Sequence, residues 1–445
     1  MLSWLRPSPG IVRPEVSQER GTAVTLHEDF ETLDFLTDAS ILEDPQSYYA
    51  YLRECPVRHV PPHGVAAVTG CDEAVKVWRD SDTYSSCNST SGPFPGLPVE
   101  PGTDDISDLI ERCRDVYPLS EHMTTFDPPL HTRHRALLMR LMTPKRLEEN
   151  EAFLWALADR LIDRFHTEGR CEFIADYAYP FALLSVANLL GVPESDHQKF
   201  LDQLFAYQAG ELGSRLEGNP FAFMDDLFAH YVEDRRSDPQ RDVMTKLALA
   251  TYPDGSLPEV IDVVRIAVFL FAAGQGTTAH LMGMALRHLA EHPDLQDLLR
   301  ADRDQVPAFI EETLRLETPV KALFRLARRS HELGDLHIDA GTTLMVMPGA
   351  ANRDGRRFEN PDELRIDRPN LREHVAFGRG IHACPGGSLA RAEARVSLNR
   401  LLDRLDDITI SGSHHGTAGT RHFEYVPSFL LRGLQELHLE YSPIG

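Results

Sequence analysis

The sequence predicts a mainly α-helical domain with a small β portion, organised round one long central helix. Three observations carry that expectation. From about Pro258 to His292 the chain reads as a helix, and its stretch "VVRIAVFLFAAG" is apolar nearly all round, the pattern of a helix buried on every side. Helical periodicity dominates "HTRHRALLMRLM" to "LADRLIDRF" and "YPFALLSVANLLG" to "DLFAHYVEDRR". Residues 320 to 375 then switch to short strand-like pieces with turns, such as "LHIDAGTTLMVM".

In chain order, residues 1–35 are polar and proline-bearing, a loosely ordered lead-in, and residues 36–445 form one domain without internal repeat or linker. "PQSYYAYLRECPVRHV" to "DEAVKVWRDSDTY" alternates helix-like and strand-like pieces. Residues 86 to 124 are rich in Ser, Gly and Pro, with a helical patch at "DDISDLIERCRDV", and a loop that long in a compact chain is a functional cover or disordered. "VPAFIEETLRLETP" reads as a helix stopped by Pro319. A last helix follows Cys384, and two strand-like pieces lie near "VPSFLLRGLQELHLEY".

Composition excludes several classes. The 445 residues are 42% hydrophobic and 25% charged, ordinary for a soluble globular chain, with a net charge of −23 that argues against nucleic-acid binding. Six cysteines form no C-x-x-C pair, which points to a reducing, cytoplasmic setting and away from structural zinc or a resident iron–sulfur cluster. The start lacks a signal-peptide core, and no uninterrupted apolar run reaches the ~18 residues of a membrane span, so no membrane anchor is expected.

The stretch "AFGRGIHACPGG", residues 376–387, concentrates the chemistry. Pro385 suits a first helical position, which would put Cys384 at or near a helix N-cap, where free N–H groups favour a thiolate. Gly378, Gly380, Gly386 and Gly387 let backbone approach something flat and large. Three readings compete: a packed cysteine in a turn, a dinucleotide loop of the G-x-G-x-x-A type, or a thiolate ligand to haem iron. Only about sixty residues follow the loop, too few for the rest of a dinucleotide fold.

The string resembles the haem-binding loop of the cytochrome P-450 family, F-x-x-G-x-x-x-C-x-G, matched by Phe377, Gly380, Cys384 and Gly386. Other landmarks stand in register with it. Glu312 and Arg315 form E-x-x-R some seventy residues before the cysteine, and Arg368 matches the third member of that ion-pair network. "FDPPLHTRHRALL" resembles the family's C-helix entry, and "FAAGQGTTAH" its oxygen-activation signature. The resemblance spans about residue 40 to the C-terminus and implies the cytochrome P-450 fold, with the central helix over haem b and Cys384 as axial thiolate.

It implies further that His131, Arg135, Arg325 and His382 bind the haem propionates, and that Phe377, Gly378, Gly386 and Ala273 lie against the haem. Thr277 matches the threonine that positions oxygen and water for proton delivery. The adjoining acid of the family is absent: Gly276 stands there, preceded by Gln275, which can hold water but cannot ionise. Gly274 and Gly276 are expected to weaken the helix into a kink whose freed carbonyls lodge a water chain. His280 is a remote candidate donor.

The implied reaction is O2-dependent hydroxylation or epoxidation of an apolar substrate such as a terpenoid, steroid, fatty acid or aromatic. No flavin, nicotinamide or ferredoxin module is encoded, so a separate ferredoxin and NAD(P)H-dependent ferredoxin reductase are the expected electron donors. Arg133, Arg140, Lys145, Arg146, Arg379, Arg391 and Arg395 are candidates for a docking patch, and the chain is expected to be a monomer. Substrate-facing candidates are Phe94, Leu97, Phe205, Phe221, Phe223, Ala273, Leu323 and Phe429. A peroxide-driven peroxygenase and a non-enzymatic haem sensor are the alternatives.

Overall fold

The computed structural model describes residues 30–198 and 222–445. The chain before residue 30, and the expected pocket residues Phe205 and Phe221, lie outside the described residues.

The central helix, Val260–Glu291, runs 32 residues without interruption. Pro258 lies just before it, and Pro293, which has no N–H to continue the ladder, opens the next helix. Its first half, including Val263, Val268 and Phe271, packs into a core shared with the helices Tyr179–Leu190 and Ala222–Ser237. Its second half, including Met282, Leu286 and Leu289, packs into a core shared with Val306–Leu316 and Gly387–Arg404. Fully burying a residue such as Phe271 contributes about 1.5–3 kcal/mol.

The expected kink is not there. A Cβ on Gly274 would come within 2.9 Å of Val186 Cγ2, and one on Gly283 within 2.7 Å of Ile174 Cδ1. At these two positions glycine lets neighbouring chain press close instead of bending the helix. The Ala273 carbonyl, a candidate free acceptor, receives the Thr277 hydroxyl at 3.0 Å. Averaged over a window, this helix is long and apolar enough to cross a membrane, although Arg265, Gln275 and His280 break the uninterrupted run. Here it forms the spine of the protein core.

The β portion is small. Strands β1 (Val57–Val60), β2 (Val65–Val68), β3 (Tyr84–Ser85), β4 (Arg170–Glu172), β5 (Leu323–Ala327), β6 (His331–Leu333), β7 (Leu336–Ile338), β8 (Thr343–Val346), β9 (Leu405–Ile410) and β10 (His438–Pro443) form three sheets. The largest has the order β1-β2-β8-β5-β3, with β2 and β8 parallel, and both are buried throughout. Near the C-terminus two strands were expected, yet only β10 forms. Residues 425–434 make isolated bridges instead, because Pro427 and Gly433 interrupt the ladder.

The E-x-x-R residues lock the segments that carry the cysteine loop. Arg315 donates from Nε and Nη2 to both oxygens of Glu312, each at 2.7 Å, and Arg368 Nε adds a third bond at 3.0 Å. Arg315 also donates to the carbonyls of Asn352, Pro361 and Glu363, so one buried guanidinium fixes the meander between β8 and the cysteine.

Candidate active site

The cysteine loop is pinned from three directions. Cys384 N–H donates to the Phe377 carbonyl at 2.8 Å. Gly380, at φ +74°, lies so close to the Cys71–Arg79 helix that a Cβ would fall 2.1 Å from the Trp78 carbonyl. Below, the Arg391 guanidinium stacks 4.5 Å from the Phe377 ring and pairs with Glu311 at 2.5 and 2.8 Å. Burial would raise the Glu311 carboxyl, but Arg391 and His374 hold it at about 2.

The following helix starts at Gly387 with Gly386 as its cap, so Cys384 stands two residues upstream and Pro385 is not the first helical residue. The loop's tie to Phe377 holds the cysteine back from the helix. The thiol nevertheless faces the free helix amides. Burial pushes it up, while the N–H groups of Gly386 and Gly387 and the charges of Arg135 and Arg391 act in the thiolate's favour.

Cys384 opens into a cleft with a predominantly apolar lining and a few polar groups, as small-molecule sites have. The thiol is walled in by protein yet accessible, the situation of a group at the bottom of a concavity. Thr277, Thr278, Phe269, Val320 and Leu323 line the cleft, together with Phe377 and Gly378 of the loop. Ala273, one turn before Thr277, is exposed, while Gln275 is buried and absent from the cleft wall. Phe94 and Phe429 pack instead on the core of Phe35 and Phe324, and Leu97 packs beside Cys87.

Arg135 and Arg325 reach the cleft, and His382 joins them with His131 behind it, the two rings 4.1 Å apart. Arg135 donates to Ala383 O at 2.6 Å and Arg325 to Phe324 O at 2.7 Å; among the described residues neither has a carboxylate within ion-pair distance. Burial lowers Arg325 to about 10, His131 to about 4 and His382 to about 2. Both nitrogens of His131, Nε2 of His382 and Nε1 of the cleft residue Trp78 are buried without a hydrogen-bond acceptor or donor. Two guanidiniums and two imidazoles so placed call for an anionic or accepting partner that no described residue supplies. A haem fits that demand: two carboxylates for the cationic rim and an iron for the sulfur.

Two features escaped the sequence reading. Trp78 had no local signal. Glu393 had one: a carboxylate among Ala390, Ala394 and Leu398 on the apolar face of the cysteine helix. It is 1% exposed, and burial raises its carboxyl to about 7, against the opposing influence of Ser185 and Thr278. Glu393 Oε1 and Ser185 Oγ still lack partners of good geometry.

Comparison with known proteins agrees with this architecture. Residues 192–415 match the family model described as cytochrome P450. Cytochrome P450 107B1 of Saccharopolyspora erythraea is 33% identical over 401 residues, covering 90% of this chain and 96% of that one. The substrate-free cytochrome P450 CYP150A6 of Mycobacterium marinum superposes with a TM-score of 0.88 at 53% identity, covering 94% of this chain and all of that one. CYP109E1 of Bacillus megaterium, solved in complex with testosterone, gives 0.73 at 27% identity over 89% of this chain and 99% of that one. With its thiol at the bottom of a cleft and that cleft's anion-seeking rim, the chain belongs to the cytochrome P450 family of haem-thiolate monooxygenases.

Proposed function

We propose that this protein hydroxylates or epoxidises an apolar organic molecule in the cleft above Cys384, drawing electrons from a separate ferredoxin and its NAD(P)H-dependent reductase. The observation that carries the reading is the pairing of an accessible thiol with four cationic or imidazole groups lacking an anion. Cys384 Sγ would hold the haem iron, and Arg135, Arg325, His131 and His382 would hold the propionates, with Trp78 Nε1 as a further donor. When bound, the haem supplies O2 activation, which the thiolate's electron donation assists.

Thr277 holds its hydroxyl proton toward Ala273 O at rest and can turn it into the cleft. No acid stands at position 276. The buried acid beside the next position is Glu393, protonated near neutral pH and adjacent to the Thr278 hydroxyl. Glu393, buried behind Thr278 of the cleft wall, can therefore hold a proton up to about neutral pH, and Thr278 relays it inward.

Glu393→Gln separates stability from turnover. The native carboxyl binds its proton more tightly than the unfolded one, so the cost of burial is absent below pH 4.5, grows through about pH 7 and is complete above it. Glu393→Gln should thus be more stable above pH 7, by about 3 kcal/mol, with no gain at pH 4. Its product yield per NAD(P)H should fall, with more peroxide released. Unchanged yield would remove Glu393 from the proton path. Gly276→Asp should act oppositely, raising yield and cutting peroxide leakage; no change in either would show that the missing acid is immaterial.

The substrate reading rests on the apolar walls at Met123, Phe269, Val320 and Leu323, and on the relative whose structure holds testosterone. For the donor, Met139 and Leu130 are exposed beside Arg133, Arg140 and Lys145 near the cysteine side. Arg391 and Arg395 are taken up by Glu311 and Glu151, so the patch is narrower than the sequence suggested. All six cysteines are free, in keeping with a cytoplasmic location. Optical titration of the ferric protein with terpenoids, steroids, fatty acids and aromatics tests the reading: a shift toward high spin with one class supports it, and no haem band at all refutes it.

A further inference from the structure

Between Val320 and Leu323, which line the cleft, the chain carries a lysine turned away from it. Lys321 is 1% exposed, and its Nζ donates to the Ser428 carbonyl at 3.0 Å. Its backbone N–H donates to Leu430 O at 2.7 Å, Arg432 N–H donates to Pro319 O at 2.8 Å, and Val320 bridges Leu431. Ser428 Oγ closes the facing turn by accepting from the N–H groups of Leu430 and Leu431, at 3.2 and 3.1 Å. The cleft wall at 319–323 is therefore laced to residues 428–432, and Lys321 adds a side-chain bond that crosses from one segment to the other.

A buried lysine is a costly strut, since its charge has lost water and needs a partner. The nearby carboxylate of Glu317 is already engaged by Arg432 Nε at 3.1 Å. Arg432 is the charged group facing Lys321, and it repels a second cation. Burial first, then Arg432, brings the ammonium down to about 7. The neutral amine still donates to Ser428 O, so the strut is complete above that pH. Below it, a second cation is forced in beside Arg432.

We propose that Lys321 is a positioning residue for substrate, tying the 319–323 wall to the 428–432 turn and so setting the shape of the cleft at that wall. The inference rests on the haem-containing cleft proposed above. Lys321→Met keeps an unbranched apolar side chain and removes the donor. In haem-loaded protein, amide hydrogen exchange of residues 319–323 and 428–432 should speed up together. Affinity for phenyl isocyanide, whose ring must rest on the wall and which does not titrate, should fall roughly tenfold, while that for methyl isocyanide holds within about twofold.

Were the variant not to fold, the wild type carries the same test: exchange in both segments, corrected for intrinsic rate, should rise as pH falls from 8 to 6. An unchanged ratio of phenyl to methyl isocyanide affinity in the variant, or flat exchange in both segments, overturns the proposal. If neither isocyanide shifts the Soret band of wild type, the haem reading fails instead, and the exchange data still decide the strut.

Discussion

Glu312→Gln is expected to cost the protein about 3–5 kcal/mol and most of its haem-loaded yield. Glutamine keeps the shape of the side chain but removes its charge. Arg315 and Arg368 would then share a site closed to water, their side chains 0% and 3% exposed, without a counter-charge. Leaving one partner of a buried ion pair unmatched costs far more than the intact pair contributes. Glu312 Oε1 also accepts the Arg365 N–H at 2.8 Å, and an amide oxygen that keeps this bond turns its NH2 toward Arg315 Nε, a donor facing a donor. Calorimetry should show the melting temperature lowered by on the order of 3–5 °C. A variant that melts within a degree of wild type would show the network to be dispensable.

Cys384→Ser should abolish substrate oxidation to background while leaving the fold intact. The Cys384 side chain makes no packing contribution elsewhere: it opens to the cleft, and its place in the loop is held by its own N–H on Phe377 O. The rim, with the cations Arg135 and Arg325 and the neutral imidazoles His131 and His382, is untouched, so some haem should still be retained. What disappears is the electron-rich sulfur that favours O–O cleavage. Circular dichroism, haem content and product formation measured on one preparation separate these effects. Product at wild-type rates would remove Cys384 from the chemistry.

Much of this was readable from the chain because it depends on local pattern. The apolar run of 263–274 predicts a helix buried on every side, and the glycines round Cys384 predict close-approach backbone. The spacing of Glu312 and Arg315 put both on one helical face, and the fold buries them together. What escaped depends on partners distant in sequence. Gly274 looked like a helix breaker, and only the packing of Val186 against it shows why it is small. Phe94 and Phe429 looked like pocket wall because apolar residues in loops can serve a pocket or a core equally well. For Lys321, no neighbour in sequence announces that the Ser428 carbonyl will close over it. Glu393 was the one avoidable miss, since a carboxylate on an apolar helix face is visible without any structure.

The central claim, a haem held by the sulfur of Cys384, is tested most directly by the ferrous–carbon monoxide difference spectrum of the purified full chain. A thiolate-ligated haem gives a strongly red-shifted Soret band, and that band is the predicted result. A band at the position of histidine-ligated haem, or no haem band in freshly purified protein, would contradict the account.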